Sequence, residues 1–143
     1  MGFPLFSSLV LLIEIVLVIV IGLGSYYGRL LDIDLHHRLI YPAIFIQFVI
    51  VAFWMIPNVF FLREDPESPL GSFGKIVLML HALFGFIAIL VSIYLAVYFL
   101  IFRRKWEIGN LALQRKIMIF ALYIWVIAFI LGILVYGGIL FGY

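Results

Sequence analysis

The chain has 143 residues, of which 68% are hydrophobic and 11% charged, with a mean hydropathy of +1.34. A soluble domain carries about 25% charged residues, so a water-soluble fold is excluded and the chain takes lipid as its solvent. A net charge of +2 on so apolar a chain argues against nucleic acid as a partner, and the lack of cysteine removes disulfides, thiolate metal sites and cysteine catalysis.

The opening MGFPLFSSLV has no basic n-region, and no small-residue cleavage site follows it, so the first apolar span is expected to stay in the mature protein. Phe6 stands where a myristoylation signal needs Ser or Thr. Span one covers about Leu5–Leu23, broken only by Glu14. The loop YYGRLLDIDLHHR follows, with Tyr26 and Tyr27 placed for an interfacial belt. Span two covers about Leu39–Leu62, with Pro42 expected in its first turn, where a missing N–H does no harm. Pro57, near its far end, is expected to kink the helix and free a carbonyl around Phe53.

The second loop, REDPESPLGSFGK, is acidic and rich in turn residues. Span three, Ile76–Phe102, exceeds the roughly 20 residues needed to cross a bilayer, and its only ionisable side chain is His81. The basic loop RRKWEIGNLALQRK leads into span four, about Ile117–Phe141, which carries no charge and ends in YGGILFGY. Residues 1–143 thus read as one all-α integral membrane domain, a four-helix antiparallel bundle. Loops one and three hold Arg29, Arg38, Arg103, Arg104, Lys105, Arg115 and Lys116, against Arg63 and Lys75 on the other side. The positive-inside rule then puts both termini outside, in a multi-pass protein expected in the plasma membrane of a prokaryote.

Depth sorts the buried polar groups. Glu14 lies ~15 Å and His81 ~10 Å below the outer surface, counting 1.5 Å per residue. Asn58 and Tyr136 fall near the outer ends of spans two and four. A Glu14–His81 pair is expected if spans one and three are neighbours, with Asn58 or Tyr136 completing its hydrogen bonds. Such a group serves as interhelical polar glue, as a redox or proton site, or as a contact for a partner subunit. Gln47, in the inner half, reads as isolated glue.

His36 and His37 stand with Arg38 at the inner mouth of span two, where solvated side chains are the ordinary outcome. Haem b is the cofactor these histidines would admit, since four-helix membrane bundles hold haem between facing histidines. One haem bridging His37 and His81 is disfavoured, because about 20 Å of a ~30 Å core separates them. If haem or a metal is bound, His81 and His37 are the expected ligands, with help from another chain. No motif requires a cofactor, and none marks an enzyme: there is no H-E-x-x-H, P-loop or G-x-S-x-G.

The pattern resembles a family of small four-helix membrane proteins that includes the CtaM-type factors for cytochrome oxidase maturation. The resemblance runs along nearly the whole chain. It lies in GLGSYYGRL closing span one, His37–Arg38 opening span two, HALFGF in span three, and Arg115–Lys116 opening span four, followed by Tyr123, Trp125, Gly132 and Tyr136. Relatives usually carry a histidine just before the basic pair, where this chain has Gln114. The resemblance implies a non-enzymatic accessory subunit or assembly factor of a membrane oxidase, and marks His37 and His81 as functional positions. Read from the polar residues instead, the chain would be a small b-type cytochrome or a quinone-interacting electron-transfer protein. A transporter would need a wet polar path through the bundle, and span four is wholly apolar.

Overall fold

In lipid every backbone N–H and C=O must be satisfied within its own segment, and long apolar stretches meet that demand as helices. The structure, a computed structural model, describes the backbone of residues 2–64, 70–102 and 108–141, with side chains for 7–60, 70–101 and 113–141. The helices are α1 (Gly2–Arg29), α2 (Ile33–Ile50), a π-helical turn (Val51–Met55), α3 (Ile56–Glu64), α4 (Ser72–Phe102) and α5 (Ile108–Phe141). They make four segments long and apolar enough to cross a membrane: Ser7–Arg29, Ile33–Phe60, Ser72–Ile101 and Leu113–Phe141.

Each helix overruns its apolar span. The end of apolarity marks where lipid ends; the end of a helix is set by caps, and these fall further out. α1 and α2 are separated only by Leu30–Asp32. The Asp32 amide donates to the Tyr27 carbonyl at 3.1 Å and the Leu31 amide to Gly28 at 3.4 Å, the paired bonds of a Schellman motif. Its left-handed position is held by Leu31 at φ 62°, where glycine is usual. Asp32 then caps α2 by accepting from the Leu35 amide at 3.1 Å. Because α2 begins at Ile33, Pro42 lies in its interior and not in its first turn as expected, and it withholds a donor from the Arg38 carbonyl.

Where a kink is expected at Pro57, the structure shows a widened turn just before it. The ladder before it widens into the π-helical turn, where the Ile56 amide donates to Val51 five residues back. Asn58 Nδ2 then donates to the Trp54 carbonyl at 2.7 Å. The Asn58 side chain therefore serves the backbone that the proline disturbs.

The four spans form a ring. α1 packs on α2 and α5, while α4 packs on α5 and on the α2–α3 segment, so α1 and α4 stand at opposite corners. Contacts run antiparallel around the ring, as Glu14–Gln47, His81–Ala128 and Ser8–Tyr136 show. One core layer draws on every span: Leu17 and Ile21, Ala43, Ala88, Ile124 and Trp125. A second, of Leu70, Val77, Leu78 and Val135, lies toward the end that carries the chain termini.

Candidate functional site: two cavities in the bundle

The first core layer separates two cavities, and Trp125 borders both. Cavity one, on the termini side, has a volume of about 120 Å³, room for several waters at roughly 10–15 Å³ each. Its lining brings together Glu14, Gln47, Asn58, His81 and Tyr136. All four membrane-depth residues singled out in the sequence therefore meet in one place, together with Gln47.

They do not pair as expected. Glu14 and His81 come from opposite corners of the ring and face the cavity from different sides. Glu14 Oε1 accepts from Gln47 Nε2 at 2.9 Å, across the α1–α2 contact. Gln47 is therefore not isolated, and depth arithmetic missed it because both residues lie near mid-span. The single side-chain oxygen of Gln47, Oε1, is buried with no hydrogen-bond partner among the described residues, as is Trp125 Nε1. Tyr136 bonds Ser8 at 2.7 Å, and Asn58 is held by its own helix.

His81 is held by α5. Its Nδ1 lies 2.8 Å from the Ala128 carbonyl. A carbonyl only accepts, so Nδ1 carries the hydrogen, and in the neutral ring Nε2 is left as a bare acceptor. The ring gets this close because residue 132, one turn beyond Ala128, is glycine: a Cβ there would come within 3.0 Å of His81 Cε1.

Cavity two, about 80 Å³, lies on the other side of Trp125 and repeats the device. His36 Nδ1 donates to the Gly24 carbonyl at 2.7 Å, and a Cβ on Gly28, one turn beyond, would meet that nitrogen at 2.9 Å. His37 stacks on Tyr41, with ring centroids 4.9 Å apart and planes 11° apart, and lies 6.0 Å from Phe99. The interfacial histidines are therefore half-buried cavity residues, not solvated ones; Arg38 alone of the three is exposed. Their packing explains the difference, since α2 starts early enough to carry both rings against α1 and α4. Gln114 is buried and donates to the Tyr94 hydroxyl at 3.4 Å.

The sequence reading took Gln47 for isolated glue, named Trp125 only within the resemblance, and missed the glycine windows. A small-xxx-small signal was present for the windows, at Gly24/Gly28 and Ala128/Gly132. In chemical terms, a ring locked by an Nδ1–H bond to a backbone carbonyl is the arrangement that orients ligating histidines. Yet neither cavity sets histidines from two facing helices against each other. His81 lines cavity one, while His36 and His37 come from one helix in cavity two. A haem held by two histidines does not fit within one chain. Comparison with family models, curated proteins and solved structures finds no match to this chain.

Proposed function

We propose that this protein is a non-enzymatic accessory subunit or assembly factor of a respiratory or other membrane oxidase, seated in the plasma membrane of a prokaryote with both termini outside. The observation that carries this reading is where the mass lies. Spans of 23, 28, 30 and 29 residues take up most of the 143, so whatever this chain recognises lies in or at the membrane. Every span also presents large apolar side chains outward, among them Ile19, Phe45, Phe86 and Ile130, a surface suited to lipid and to other membrane subunits. The resemblance to CtaM-type factors supplies the oxidase. Deleting the gene is expected to lower the haem absorbance of assembled oxidase in membranes, and re-expression to restore it; unchanged oxidase content would rule the role out.

The second reading, a small electron-transfer protein, divides on the histidine geometry. As a b-type cytochrome the chain would need a ligand from a partner or a second copy. A purified protein with a reducible Soret band would establish that form. The quinone-interacting version is favoured by cavity one, where hydrogen-bonding groups surround a space among apolar helices.

A further inference from the structure

We infer that cavity one is a binding site for a lipid-tailed quinol, and that it takes the reduced head group in preference to the oxidised one. This rests on the quinone-interacting reading and specifies its redox form, its atoms and its way in.

Among the described residues, the lining offers two unpaired acceptors, set against one buried donor without a partner, Trp125 Nε1. His81 Nε2 is a bare acceptor because Nδ1 is committed to the Ala128 carbonyl. Gln47 Oε1 is buried without a partner, since Gln47 spends its amide on Glu14. These two acceptors come from α4 and α2, on different sides of the cavity, with the Glu14 carboxyl beside Gln47. A buried acceptor in lipid needs a donor. A para-quinol carries two hydroxyl donors on opposite edges of one ring, and each finds an acceptor: one hydroxyl donates to His81 Nε2, the other to Gln47 Oε1. The oxidised quinone has two carbonyls and no donor, so it leaves both acceptors unpaired, and the lone Trp125 Nε1–H serves only one of its carbonyls.

The tail has its own place. An apolar groove of about 250 Å³ runs between the α2–α3 segment and α4, lined by Val51, Ile56, Phe60 and Phe86, and it shares Met55, Val59, His81 and Gly85 with cavity one. Ile56, Phe60 and Phe86 are exposed on the flank of the bundle, so the groove joins the lipid-facing surface to His81. The π-helical turn that Pro57 induces forms part of its wall. At the junction sits Gly85, where an added Cβ would meet nothing within 4 Å. A larger side chain there would grow into the passage without displacing the helices.

The test is binding of a decyl-substituted benzoquinol and of its benzoquinone to the intact protein in nanodiscs, read by quenching of tryptophan fluorescence, since Trp54 and Trp125 border the cavity. The quinol is expected to bind at least about tenfold more tightly, the effect of losing a buried hydrogen-bond partner. Gly85→Leu is expected to lower quinol binding at least about tenfold with helix content unchanged, and Gln47→Leu to reduce the preference for the quinol. Equal affinity for the two forms would overturn the donor–acceptor assignment while leaving the quinone-interacting reading standing. Quinol binding untouched by Gly85→Leu would overturn the route and the site. Binding of neither form would overturn this inference and the quinone reading together.

Discussion

Two histidines, one near each end of the bundle, are aimed by the same small device: a ring N–H bonded to the carbonyl of residue i on the next helix, through a gap left by glycine at i+4. Gly132→Ala is therefore expected to push His81 off Ala128 and to cost about 1 kcal/mol, the worth of a typical hydrogen bond. Loss of the Nδ1–H···O=C signature in the imidazole nitrogen NMR spectrum would report it; an unchanged spectrum would mean that the ring does not depend on the window. The acid behaves differently. Glu14 is joined to Gln47 and not to His81, so a double-mutant cycle with Glu14→Leu and Gln47→Leu should show coupling of about 0.6 kcal/mol and at most ~1.7, the range for interhelical bonds in membranes. The cycle of Glu14→Leu with His81→Leu should be additive within ~0.5 kcal/mol. Unfolding titrations in mixed micelles read both, and the reverse ranking would restore the Glu14–His81 pair.

Among the elements, the α1–α2 connection shows the clearest strain. Leu31 occupies a left-handed position at φ 62° and is 81% exposed, so its side chain packs little in return. A non-glycine residue there costs roughly 1–2 kcal/mol, part of which glycine would give back through a freer unfolded chain. Leu31→Gly is expected to stabilise the protein by about 1 kcal/mol, and Asp32→Ala to destabilise it by about 1 kcal/mol through loss of the α2 cap. Thermal unfolding of the two variants in one detergent checks both signs. The turn before Pro57 belongs at this scale too. Proline announces a fault in the ladder from sequence alone, but whether the fault becomes a bend or a widened turn depends on what receives the freed groups, here the Asn58 side chain.

For the whole molecule, the closely spaced glycines at the end of α5 suit either packing within the bundle or association with a partner. Gly138 is buried inside the bundle, which favours the first; Gly142 lies outside the described residues. Gly138→Leu is expected to cost ~1–3 kcal/mol by overpacking, seen as a lower unfolding midpoint; a variant equally stable but dissociated from a partner would reverse that assignment. Orientation rests on the Lys and Arg count. A cysteine at position 109 should react with an impermeant thiol reagent from the cytoplasmic side, and one at position 68 should not.

Sequence alone determined the solvent, the number of spans and their all-helical character, because lipid leaves a long apolar segment little choice of backbone structure. It also picked out Glu14, Asn58, His81 and Tyr136, since polar groups stand out in apolar text. Which of them bond was decided only by the tertiary structure. Depth along a helix is a one-dimensional quantity, whereas bonding depends on the order of helices around the ring and the rotation of each about its axis. That order put Glu14 diagonally from His81 and beside Gln47, turned His36 and His37 inward, and left one cavity on each side of Trp125. Helix ends were likewise legible only in part. Asp32 is a readable cap, but apolarity stops where the membrane does, and a helix continues until its last carbonyls find donors.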